Sequence, residues 1–121
     1  MSENLLVVLS DAVPGREDEF NEWYDTLLLR KTVQLDPFFS GQRFELEGVN
    51  PPTAEWPKFR YLAIYEIPEG RLDEAKAAMA RQYEERREAL DAGRTPEVPL
   101  SPALGSGVGY WFTSIGPKIE G

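Results

Sequence analysis

Residues 14–35 read PGREDEFNEWYDTLLLRKTVQL. Phe20, Trp23, Tyr24, Leu27, Leu28 and Leu35 recur at the three- and four-residue steps that bring side chains to one side of an α-helix. Lys31 falls on the same stripe. Glu17, Asp18 and Glu19 gather where the positive end of a helix dipole favours acids. Asp36-Pro37 disfavours helical geometry beyond Leu35. A helix, α1, is therefore expected from about Glu17 to Leu35. So aromatic a stripe has to be buried, and the ammonium group within it must reach water, pair with an acid or take part in chemistry.

Working outward, Leu5 to Leu9 is a continuous apolar run too short for a helix, which reads as a strand, β1, buried on both faces. Beyond the helix, Gln42 to Glu47 alternates, with Gln42, Phe44 and Leu46 on one face and Arg43, Glu45 and Glu47 on the other, as in a half-exposed strand, β2. Gly48 to Lys58 holds three prolines and a glycine and reads as a surface loop. Phe59 to Ile67, FRYLAIYEI, is dense in aromatic and β-branched residues and predicts β3. Arg71 to Leu90 is a second helix, α2, with Leu72, Ala75, Met79, Tyr83 and Leu90 on its inner stripe and Gly93 as the left-handed residue that ends it. Arg94 to Gly109 carries three prolines and three glycines and reads as an ordered lid or an arm reaching a neighbour. Tyr110 to Ile115 is the last strand, β4.

The order β-α-β-β-α-β predicts an α+β fold of ferredoxin-like build: one domain across residues 1–121, a four-stranded antiparallel sheet with two helices on one face. The strands carry large apolar residues on both parities, for example Leu62 and Ile64 against Tyr61, Ala63 and Tyr65. The helix-free face must then be covered too, and a homodimer through sheet faces is the simplest cover.

Composition narrows the chemistry. The 121 residues hold no cysteine and no histidine, which removes disulfides, thiolate metal sites, catalytic triads and the usual general base. A net charge of -8 argues against a nucleic-acid partner. No apolar run approaches the roughly 20 residues of a membrane-spanning helix. The N-terminal MSENLLVVLSD lacks a basic segment ahead of its apolar run, so a cytoplasmic protein is expected. Asp, Glu, Lys, Arg and Tyr remain to do any chemistry.

The segments LLVVLSDAVPGREDEFNEWYD, FFSGQRFEL, YLAIYEI and YWFTSIGPK together resemble the EthD-like branch of the dimeric α/β-barrel superfamily. That resemblance implies a sheet-to-sheet dimer, a small-molecule pocket between sheet and helices in each subunit, and cyclase, isomerase, lyase, decarboxylase or monooxygenase activity on aromatic or polyketide-like compounds, often without a cofactor. Some similar proteins bind haem. Similar sequences often read W-Y-D-x-x-H-x-P-x, and Trp23-Tyr24-Asp25 matches the opening of that pattern. Leu28 stands at its histidine position and Arg30 at its proline position, so neither a histidine mechanism nor a histidine-ligated haem carries over.

Four residues are candidate catalytic groups: Lys31, whose pKa burial could lower; Asp25, which matches the W-Y-D acid; and Arg43 and Tyr65, able to hold an oxyanion. Trp23, Tyr24, Leu28, Tyr61 and Trp111 are candidate substrate contacts, with Trp56 and Phe112 as further members of an aromatic box. The plainer readings are a lysine stem lying along apolar surface, a solvated carboxylate, and rings that are core or interface. No cofactor and no metal are expected. The expected activity is cofactor-independent proton transfer of lyase, isomerase or cyclase type. The alternatives are a non-catalytic binder lacking the histidine, or a cofactorless monooxygenase.

Overall fold

Two strand-to-helix turns of matching build set the architecture. Gly15 and Gly70 adopt positive φ, 87° and 80°, which glycine reaches without a steric penalty. Each precedes an arginine at the helix N-cap, Arg16 (φ -116°, ψ 24°) and Arg71 (φ -117°, ψ 19°). Each guanidinium pairs with the glutamate three residues on, Arg16 with Glu19 and Arg71 with Glu74, both at 2.8 Å. The computed structural model describes residues 2–121. Its elements are β1 (Ser2–Ala12), α1 (Glu17–Trp23, a π-helical turn Tyr24–Leu28, then Leu29–Val33), β2 (Ser40–Glu45), β3 (Tyr61–Pro68), α2 (Leu72–Asp91) and β4 (Leu104–Thr113). The strands form one antiparallel sheet in the order β2-β3-β1-β4. This is the expected ferredoxin-like α+β arrangement.

Strand parity divides the sheet into two faces. Tyr61, Ala63, Tyr65 and Ile67 of β3 are buried under the helices, and Leu62, Ile64 and Glu66 between them are half-buried on the other side. In β1, Asn4, Leu6, Ser10 and Ala12 are buried, while Leu5, Val7 and Leu9 are only half-buried. The expectation that β1 is buried on both faces therefore holds for the helix side alone within one chain. Phe20 and Tyr24 from α1, and Ala75 and Met79 from α2, close the core over Leu6, Tyr61, Tyr65 and Ile67. No helix among the described residues is long and apolar enough to cross a membrane.

Among the differences from the sequence reading, two boundaries and the inner stripe of α2 have a tertiary reason. β1 extends through Ser10, which is laddered to both β3 and β4, and on through Asp11 and Ala12, which pair with β4 alone. β4 starts at Leu104, six residues before the expected Tyr110, because Ser106, Gly107 and Gly109 pair with Asp11, Ser10 and Val8. Gly105 explains part of that composition: a Cβ there would lie 3.0 Å from the Ala12 carbonyl carbon. On α2, Tyr83 and Leu90 are exposed, and the buried stripe is Ala75, Ala78, Met79 and Ala89. Gly93, at φ 71°, ends the helix as expected, with Arg94 N–H donating to Ala89 and Gly93 N–H to Leu90 in the Schellman pattern.

Residues 94–102, within the segment expected to be an ordered lid or an arm reaching a neighbour, lie ordered against the chain's own helices. They are a strap laid across the helices, with its carbonyls held by side chains from both: Trp23 Nε1 donates to Pro99 O at 3.0 Å and Arg86 Nε to Val98 O at 3.1 Å. Val98 is buried beneath it.

Candidate functional site

The π-helical turn decides which side chains of α1 face inward. Its i→i+5 bonding places an additional residue in the turn, so the buried stripe slips by one position after Tyr24. Thr32, 2% exposed, takes the place that uninterrupted α-helical spacing assigns to Lys31. Lys31 is exposed. It borders an open groove of about 800 Å³ between the end of α1 and the flank of α2, among Asp36, Glu74, Arg81 and Glu85.

A smaller, mainly apolar cavity of about 230 Å³ lies between the helices and the sheet. Leu6, Val8 and Ser10 of β1 form its floor, Tyr24, Leu28 and Thr32 of α1 one wall, Met79, Gln82 and Arg86 of α2 the other, and Leu100 of the strap its rim. The cavity has room because β4 raises no side chain at two positions of its lining, Gly107 and Gly109, between and beside Leu104 and Val108. Gly107 and Gly109 sit opposite Ser10 and Val8 in the ladder, and a Cβ on Gly107 would meet nothing nearer than 3.7 Å.

Two phenols meet within this space. The Tyr65 hydroxyl donates to that of Tyr24 at 3.4 Å, a long separation for an O–H···O bond. Burial pushes both tyrosines above their ordinary pKa, Tyr65 furthest. For Tyr65, the neighbouring Tyr24 adds to the rise, and hydrogen bonding with Thr32 and the charge of Arg43 oppose it. Both therefore remain protonated at neutral pH, as O–H donors rather than bases.

Arg43 stands behind Tyr24. Its side chain is 10% exposed, its guanidinium lies 4.4 Å from the Tyr24 ring centroid, and its nitrogens donate to Asp25 Oδ1 and Asn21 Oδ1, each at 2.8 Å. The charge is thus matched by Asp25 and by ring faces. Of the candidate catalytic residues, Tyr65 lines the cavity; Lys31, Asp25 and Arg43 do not. Of the candidate contacts, Tyr24 and Leu28 line it. Tyr61 packs on Phe20 with centroids 5.2 Å apart, Trp111 stacks on Phe38, and Trp23 anchors the strap. Trp56 and Phe112 are exposed.

The sequence reading passed over Ser10, Thr32, Gln82, Arg86, Gly107 and Gly109. Gln82 and Arg86 were open to discovery, since they continue the Ala75, Ala78, Met79 stripe at helical spacing; the expected stripe through Tyr83 concealed them. Among the described residues, no group of three or more potential ligands gathers to hold a metal ion. A comparison with models of known protein families finds no match, and a comparison with curated proteins finds none of significant similarity.

Proposed function

We propose that this protein is a small enzyme that works without a cofactor on an aromatic or polyketide-like compound, as in the EthD-like dimeric α/β barrels its sequence resembles. The observation that carries this reading is the Tyr24–Tyr65 pair inside a mainly apolar cavity. A substrate carbonyl oxygen entering that long contact gains two phenol donors whose protons are retained at neutral pH, which stabilises charge building on the oxygen as solvent water takes up the α-proton. Thr32 helps to orient Tyr65, and Arg43 supports Tyr24 from behind.

Solvent-deuterium exchange at the α-carbon of 2-tetralone, an enolisable bicyclic ketone, tests the reading. The wild-type protein should accelerate exchange, and Tyr65→Phe should slow it about a hundredfold or more. A second reading is favoured by the absence, among the described residues, of carboxylate and lysine side chains from the cavity lining: a binding protein that orients its ligand without converting it. Tight binding of 2-tetralone with no exchange above background would select that reading.

The same proposal includes a homodimer, set in the cytoplasm. Phe44, Tyr110 and Phe112 are exposed on the helix-free face beside half-buried Leu5, Val7, Leu62 and Ile64, an apolar surface that a second copy can cover. Sedimentation should give a dimer for the wild type and a folded monomer for Phe112→Lys.

A further inference from the structure

We propose that the cavity takes an anion: a one- or two-ring aromatic or polyketide-like acid whose carboxylate is gripped by Arg86 while its ring system lies toward Tyr65. This rests on the cavity being the working site. Arg86 reaches the cavity from the inner stripe of α2, one turn after Gln82. Arg16, Arg43, Arg60, Arg71, Arg87 and Arg94 each pair with a carboxylate; Arg30, Arg81 and Arg86 have no ion pair among the described residues, and of these three Arg86 alone lines the cavity. Its contacts are neutral: Nε donates to Val98 O at 3.1 Å, and the guanidinium carbon lies 5.8 Å from the Tyr83 ring centroid.

The adjacent acid, Glu85, acts on Arg86 only across space and makes no ion pair with it. Glu85 turns to the strap, where Oε1 accepts the Glu97 amide at 2.8 Å and Oε2 lies 3.8 Å from Arg94 Nη1. With Nε engaged by Val98, both terminal nitrogens keep their N–H donors, in the planar fork that matches a carboxylate. A cation partly withdrawn from water among apolar walls is costly until an anion meets it. Burial also lowers the pKa of this guanidinium from its ordinary value. In a chain with 21 acids and 13 bases, the opening is for an incoming acid, and about 230 Å³ limits its size.

Calorimetric titration of the full chain at neutral pH with 2-naphthoate and with 2-naphthamide, the same rings without the charge, tests the assignment. The acid should bind at least about tenfold more tightly than the amide. Arg86→Met should abolish that preference while leaving amide affinity in place, and Arg86→Lys should restore part of it. If Arg86→Met fails to fold, Arg86→Gln replaces it, keeping a donor for Val98 without the charge. Equal affinities in the wild type, or a preference that survives loss of the charge, would overturn the anion site. Gly107→Leu separates this from failure of the cavity reading, because a side chain there plugs the cavity. Both probes should lose binding to that variant; probes that still bind it, or that do not bind the wild type, overturn both readings.

Discussion

Helices α1 and α2 leave their strands through the same glycine–arginine turn, then build their inner faces from opposite materials. α1 packs with rings, Phe20 and Tyr24, joined edge-on at 5.7 Å between centroids. α2 packs chiefly with methyl groups, Ala75, Ala78 and Ala89, beside Met79. α1 is interrupted by a π-helical turn, whereas α2 runs regularly for 20 residues. Like beginnings do not make like faces: one helix fills its share of the core with bulk, and the other is suited to close approach to the sheet. The hollow lies between them, where Thr32 of one helix and Gln82 and Arg86 of the other meet the glycine-bare end of β4.

That contrast predicts opposite sensitivities. Truncation should hurt α1 most: Phe20→Ala, at a fully buried ring, should cost about 3–5 kcal/mol in denaturant unfolding. Enlargement should hurt α2: Ala75→Leu, at 0% exposure, should cost about 1–3 kcal/mol through overpacking. Similar losses from enlarging an exposed α2 residue such as Ala77 would remove the distinction between the faces.

Alkaline unfolding sharpens the role of the hollow between the helices. Above pH 10 the unfolded chain's phenols ionise while Tyr24 and Tyr65 keep their protons. The unfolded state then binds fewer protons than the native one. Stability should stay level with respect to these groups below that pH and fall as pH rises above it, with Tyr65, the further raised of the two, contributing more of the loss. Tyr65→Phe should shed its share of that loss. The smallest effect is expected at the position the π-helical turn displaces: Lys31→Met should change stability by no more than about 0.5 kcal/mol and leave 2-tetralone exchange unchanged. A large loss of exchange would return Lys31 to the site.

Much of the fold was legible because strand and helix periods are local. The Phe59 to Ile67 run, the acids opening α1 and Gly93 all did what their residue types dictate. β4 was harder to read, because glycine looks like loop until a partner strand lies beside it. Lys31 was misplaced for a different reason: residue spacing assumes 3.6 residues per turn, and the π-helical turn breaks that assumption over Tyr24–Leu28. Arg86 was legible in principle and was hidden by giving the α2 stripe to Tyr83.

The sequence by itself determined the order of elements, the aromatic core of α1, and the restriction of any chemistry to Tyr, Arg, Lys and acids in a chain without histidine or cysteine. These follow from composition and from contacts a few residues apart. Only the tertiary structure decided that Lys31 faces outward and Thr32 inward, that Asp25 and Arg43 satisfy each other, and that Tyr65, Tyr24 and Arg86 share one cavity. Those outcomes depend on helical phase and strand register, which are set by packing between segments far apart in the chain.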